Sequence, residues 1–280
     1  MTRLALGTVQ FGLNYGVSNT NGQVPIEVSK KILELAKEHD INTLDTAPGY
    51  GNSEKVLGKI GCNDFQIITK TIPLKLGVEN VLQSFHLSLI NLHINSVDGL
   101  LIHNIDDVKN RQFDILYKEL NKLKQDKLIE KIGFSIYTPD QVDFLLDNFD
   151  FDLIQVPFNV FDTRLIDGGQ LKALKNKQIE IHARSVFLQG LLLNFAQLDG
   201  HFDKWKKQFN NYQKMVEVSG CSLLEYALNF ALNVPELDKI LVGVESTSQL
   251  RDIINVPMLN TNLKEFSIND IELLNPVYWK

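Results

Sequence analysis

Cysteine is scarce in this chain: Cys62 and Cys221 are its only two among 280 residues, far apart and without metal-ligand spacing. That argues against a disulfide framework or a cysteine-held metal, and it suits a reducing compartment and a protein held together by its core. Each cysteine is expected to be a small buried apolar residue. Long apolar runs are missing too. No stretch reaches the roughly 18 residues of a membrane span, and the opening MTRLALGTVQFG has only a short apolar stretch before Gly7, so a soluble cytoplasmic protein is expected. Neither sign of charge gathers in a long block. The 34 acidic and 28 basic side chains give a net charge of −6, and the electrostatic footprint of a nucleic-acid binder is absent. Nor does a Gly/Ser/Pro-rich linker or a composition shift divide the chain. With 44% hydrophobic content, residues 1–280 are expected to form a single domain around one large core.

What is present is alternation. Eight short β-rich runs recur: Leu4 to Gly7, Asn42 to Asp45, Gln66 to Lys70, Gly99 to His103, Lys131 to Ser135, Leu153 to Val156, Glu180 to Arg184 and Lys239 to Val242. Between them, segments such as PIEVSKKILELAKEHD, NVLQSFHLSLINLH and YKELNKLKQDK place apolar residues three and four apart, with charges on the opposite face, as crossover helices require. Repeated units of about 30 residues fit a (β/α)8 TIM barrel better than an open doubly wound sheet. One long irregular stretch after Arg184 exceeds ordinary loop length, which predicts either a functional loop or extra helix.

In such a barrel the carboxyl ends of the strands carry the chemistry. Asp45, Lys70 and His103 end three successive strand-like runs, and Tyr50 lies in a glycine-flanked turn five residues after Asp45. Taken singly, Asp45 suits a turn cap, Lys70 a solvated strand end, His103 a rim imidazole and Tyr50 an aromatic plug. Together they make a proton-transfer set. A phenol titrates near 10, and an ammonium at about 4 Å with an effective dielectric near 20 favours phenolate by at most ~4 kcal/mol. Asp45 would keep Lys70 charged and cancel part of that field. His103 could orient a carbonyl oxygen, leaving the carbon open to a nucleophile from the other side. No serine or cysteine sits in a nucleophile elbow and no histidine cluster suggests a metal, so hydride from a bound nicotinamide fills the gap.

The motif LDTAPGYGNSEKVLG, carrying Asp45, Tyr50, Ser53, Glu54 and Gly58 and followed by Lys70 and His103, resembles the catalytic tetrad of the aldo/keto reductases, and the likeness runs along nearly the whole chain. The resemblance implies NAD(P)H-dependent reduction of an aldehyde or ketone. Tyr50 is then the general acid, Lys70 and Asp45 tune it, and His103 positions a small-molecule carbonyl substrate. It also implies cofactor contacts. Thr8 in LGTVQFG falls near the nicotinamide ribose, Ser135 and Gln155 near the carboxamide, and Arg184 in the stacking position. Ser185, Phe187 and Gly190 then approach the pyrophosphate, and Gly243, Ser246 and Gln249 the adenosine phosphate end. Ile136 stands where the family often has asparagine. NADP(H) follows from the family, yet Glu245 stands where many relatives carry a basic residue, which makes NAD(H) plausible. The opening GTVQFGLNYG is similar to reductases of bacterial surface-sugar pathways, implying a sugar-derived carbonyl.

Two other readings stay open on the same residues. A Schiff-base lyase would use Lys70 as nucleophile, although a nearby carboxylate favours the protonated amine. A non-catalytic nicotinamide-binding sensor or partner module would keep the cofactor site without turnover.

Overall fold

The computed structural model describes all residues except 1, 18, 20, 196, 197, 199, 260–264, 269 and 280. Eight parallel strands close in chain order into a barrel: β1 (Leu4–Gly7), β2 (Thr43–Asp45), β3 (Gln66–Lys70), β4 (Val97–Ile102), β5 (Ile129–Ser135), β6 (Leu153–Pro157), β7 (Glu180–Arg184) and β8 (Lys239–Gly243). β8 returns to β1 in register from Leu4↔Ile240 to Gly7↔Gly243, which leaves no open sheet edge. The period of two along each strand separates two apolar layers. Ile181 and Ala183 of β7 join the main core between strands and helices, whereas Ile68, Leu101 and Leu153 form a small cluster of their own, filling the barrel interior.

The three amphipathic segments are helices Ile26–Glu38, Val78–Leu92 and Phe113–Gln125. The first buries Ile32, Leu33, Leu35 and Ala36, the spacing that lays one face on the barrel. His39 and His93 are exposed at helix C-termini, and His86 is exposed in the middle of helix Val78–Leu92. Two strands begin earlier than the sequence suggests, β4 at Val97 and β5 at Ile129, and His103 falls one residue beyond β4. The long stretch after Arg184 holds two 3₁₀ turns, Leu188–Leu193 and Gly200–Trp205, and an added helix, Lys206–Val218. Phe202 and Trp205 are buried there. Trp205 donates to Asp270 at 2.9 Å and Phe202 packs edge-on to Trp279, so these aromatics fasten the C-terminal segment. Cys62 is buried as expected, its thiol pushed up to about 11 by burial, but Cys221 is only half-buried.

At the amino ends of the strands the barrel has a charged floor. Lys131 of β5 contacts Glu180 Oε2 at 2.5 Å, and buried His182 Nε2 meets Glu180 Oε1 at 2.7 Å. Burial alone would raise the Glu180 carboxyl, but His182 and Lys131 outweigh it and hold it at about 2. Among the described residues no helix is long and apolar enough to cross a membrane.

Candidate active site at the carboxyl ends of the strands

Strand closure brings the ends of β2, β3, β6 and β7 to one rim. Lys70 Nζ donates to Asp45 Oδ1 at 2.7 Å and to the Thr46 carbonyl at 2.9 Å. Gln155 Nε2 donates to Asp45 Oδ2 at 2.7 Å. Both carboxylate oxygens are therefore held, and the pair is almost fully sealed, with Asp45 3% and Lys70 1% exposed. Burial pulls the Lys70 ammonium below its ordinary range while Asp45 opposes that shift. Lys70 Nζ lies 4.8 Å from the centroid of the Tyr50 ring. The Tyr50 ring meets His103 edge-on, with centroids 6.2 Å apart. The structure thus gathers Asp45, Tyr50, Lys70 and His103 in one place.

One electrostatic expectation is overturned. Tyr50 is held well above the ordinary phenol range, first by burial and then by the Asp45 carboxylate, with Arg184 opposing. Desolvation of the anion outweighs any help from the ammonium, because Lys70 is already committed to Asp45. Tyr50 is a neutral phenol. His103 is also neutral: burial first, then Lys70, lower it to about 4.

The turn that aims Tyr50 rests on a neighbouring element. Tyr50 N–H donates to the Ala47 carbonyl, and Asn52 N–H reaches the Gly12 carbonyl of the short helix Val9–Gly12. A Cβ on Gly12 would lie 1.8 Å from the Tyr50 carbonyl oxygen, and one on Gly51, at φ +58, would lie 2.4 Å from the Gly12 carbonyl. Only glycine allows this approach and this left-handed backbone. Beneath the turn, the Thr8 hydroxyl donates to the Asp45 carbonyl and contacts Ser53 Oγ at 2.8 Å, while Ser53 donates to the Thr8 carbonyl. Buried Glu54 accepts from Thr69 at 2.8 Å and so ties helix Ser53–Ile60 to β3. Thr8 therefore braces the turn as well as bordering the cavity.

The cavity above these groups has a volume of about 500 Å³, within the range of small-molecule and cofactor sites. Asp45, Tyr50, His103, Ser135, Gln155 and Arg184 border it, as do Ser185, Phe187, Gly190, Gly243 and Gln249. Lys70 does not; it lies behind Asp45 and Tyr50. Phe187 belongs to the core and to the cavity wall together. Ser246 is absent from the wall. Its hydroxyl accepts from Gln249 N–H at 3.2 Å and caps helix Thr247–Ile254, a use that the Ser-x-x-Gln spacing signals. Arg251, on that helix, is exposed and away from the wall, whereas Glu245 and Asp252 border it.

Sequence reasoning missed three wall residues that matter. Tyr15 stands in the loop after β1, and Tyr137 follows β5. Gln10 presents a buried Oε1 with no partner among the described residues, a free acceptor at the cavity edge. The loop after β7 is wound left-handed at Ser185, Leu188, Gln189 and Gly190. Such conformations cluster where a backbone must approach a ligand. Across the cavity mouth, Val17 N–H donates to the Gln189 carbonyl at 3.2 Å. This set fits a nicotinamide dinucleotide. Ser135 and Gln155 border the same cavity as Asp45 and Tyr50 and would offer polar partners to a carboxamide, Gln10 Oε1 is an unused acceptor, and Gly190 and Gly243 border the cavity. Among the described residues no group of three or more metal-binding side chains occurs.

The Aldo/keto reductase family profile matches residues 3–275. The chain belongs to that family, and it is an NAD(P)-dependent oxidoreductase. Among characterised relatives, it is similar to the L-galactose dehydrogenase of Arabidopsis thaliana, at 26% identity over 99% of this chain and 93% of that protein. It is also similar to the NADH-specific methylglyoxal reductase of Escherichia coli K12, at 24% identity over 95% and 92% of the two chains. An aldo-keto reductase of Bacillus halodurans, solved in its holo form, shares the fold with a TM-score of 0.73 at 19% identity over 91% and 86% of the two chains.

Proposed function

We propose that the protein reduces a small aldehyde or ketone with NADH, with Tyr50 as proton donor. The observation that carries this reading is the sealed Lys70–Asp45–Gln155 assembly beneath a neutral Tyr50 and a neutral His103, with Asp45, Gln155, Tyr50 and His103 bordering one cavity and Lys70 behind them. A bound nicotinamide would supply hydride to the carbonyl carbon. The alkoxide produced is the conjugate base of an alcohol about as weakly acidic as water. A phenol held above its usual range still transfers its proton downhill to such a base. His103, uncharged down to about pH 4, donates one ring N–H to the carbonyl oxygen and orients it. Thr46 and Asp45 hold the Lys70 amine on fixed acceptors, which with its absence from the cavity wall disfavours a Schiff-base role.

The preference for NADH rests on the wall near β8. Arg184 is the single cation among the described wall residues, and it lies at the β7 end; Glu245 and Asp252 occupy the β8 end. An extra ribose phosphate there would meet carboxylates instead of a basic partner. A sugar-derived substrate is supported by the likeness to the Arabidopsis L-galactose dehydrogenase and by the polar groups of Tyr15, Tyr137 and Gln10 on the wall. Screening aldehydes and sugar-like ketones while following nicotinamide absorbance tests the reaction. Titrating NADH and NADPH separately tests the preference: NADH should bind at least tenfold more tightly, and Glu245→Ala should narrow the gap. A large NADPH advantage unchanged by that substitution would remove the preference.

A further inference from the structure

Arg184 is an unusual group to find in this cavity. Its guanidinium lies over the Tyr137 ring at 4.3 Å, and its edge donates to the Ile136 carbonyl at 2.9 Å and to Ser185 Oγ at 3.2 Å. Those contacts fix its plane and position. None of them is a carboxylate, and among the described residues no acid lies in ion-pair range of it. The other nearby cation, Lys70, is matched by Asp45 at 2.7 Å, and His103 is uncharged. The reacting end of the cavity therefore holds one net, fixed positive charge. That charge acts on Tyr50, His103 and Lys70, lowering the proton affinity of each.

We infer that Arg184 makes the site discriminate between the two redox states of its nicotinamide cofactor, binding the reduced form more tightly than the oxidised one. The inference rests on the reading of Tyr50 as proton donor in a hydride transfer. If a carbonyl receives its proton from Tyr50, the nicotinamide carbon must stand within about 3.5 Å of that carbonyl in the reactive complex, and so within reach of the field that Arg184 exerts on Tyr50. The reduced ring is neutral. The oxidised ring carries a positive charge, which an unmatched guanidinium repels. A neutral aromatic residue in the same place would stack on both forms without telling them apart. Arg184 thus favours loading of reduced cofactor and hastens departure of the spent form, the arrangement that suits a reductase working in a cell where the oxidised cofactor is abundant.

The test is equilibrium binding, without substrate. Dissociation constants for NADH and NAD+ are measured on the wild type, Arg184→Gln and Arg184→Lys, by cofactor fluorescence for NADH and by displacement of NADH for NAD+. Unit charges interacting across a partly exposed cavity support about a tenfold effect. The wild type should hold NADH about tenfold more tightly than NAD+. Arg184→Gln should bring the ratio close to one, and Arg184→Lys, which keeps the charge and loses the plane, should preserve most of it even if both forms bind more weakly. Equal weakening of both forms in Arg184→Gln, with the ratio unchanged, overturns the inference and leaves the proposed reaction standing. Failure of the wild type to bind either form overturns both.

Discussion

The two ends of the barrel interior carry similar side chains and have different characters. At the floor, Lys131, Glu180 and His182 join an acid to two bases, and at the rim Lys70, Asp45 and Gln155 hold an acid between two donors. The floor acid is driven down to about 2 by its partners, which locks the group into one ionisation state. At the rim, burial dominates, and Tyr50, Lys70 and His103 are all displaced toward their neutral forms. The difference is access to the cavity. Groups that satisfy one another at the amino ends of the strands, away from the cavity, stabilise the fold, whereas groups pressed against the cavity keep protons available for a guest. A cluster of titratable residues inside a barrel is therefore not enough to mark a site; its end of the strands and the direction of its shifts are needed as well.

Substitutions at the two ends should separate these characters. Tyr50→Phe should lower kcat by about 100- to 10,000-fold with unchanged NADH affinity, read by steady-state kinetics and fluorescence titration; unchanged turnover would break the comparison at the rim. Asp45→Asn leaves a buried ammonium without its counter-charge and should destabilise the protein by about 3–5 kcal/mol in urea unfolding, with loss of activity. At the floor, Glu180→Gln should lower stability by about 1–3 kcal/mol while leaving kcat within about twofold, and a large kcat effect would show that the floor communicates with the chemistry.

A further effect concerns pH. His103 has its folded pKa lowered to about 4 from an ordinary 6.5. The unfolded chain therefore takes up the proton first as pH falls. Stability is lost progressively from about pH 6.5 toward 4, and His103→Gln should flatten that slope. The same shift keeps the imidazole neutral, so kcat/KM should not fall between pH 7 and 5 on account of this residue.

Much of the fold was legible because local pattern and barrel geometry agree. β1, β3 and β7 have the bounds that their apolar runs suggest. β5 starts two residues before the run at Lys131, because Ile129 pairs with Val97 of β4, a partnership no local window can reveal. At the rim, the spacing from Asp45 to His103 carried the grouping of the four side chains. The hold of Gln155 on Asp45 spans 110 residues, and the upward displacement of Tyr50 comes from desolvation, which only the packed structure defines. Tyr15 and Tyr137 went unseen for a different reason: Tyr15 lies in the irregular stretch after helix Val9–Gly12 and Tyr137 just beyond β5, where sequence offers no period to follow. Ser246 was misplaced although its capping signature was in view.

Gly12 lies on the helix after β1, a different element from the Tyr50 turn that it touches. Its missing methyl group lets the Tyr50 backbone close against that helix. A search for altered selectivity confined to residues that line the pocket would overlook this pivot. A single added carbon there would displace the Tyr50 turn while every wall residue kept its identity.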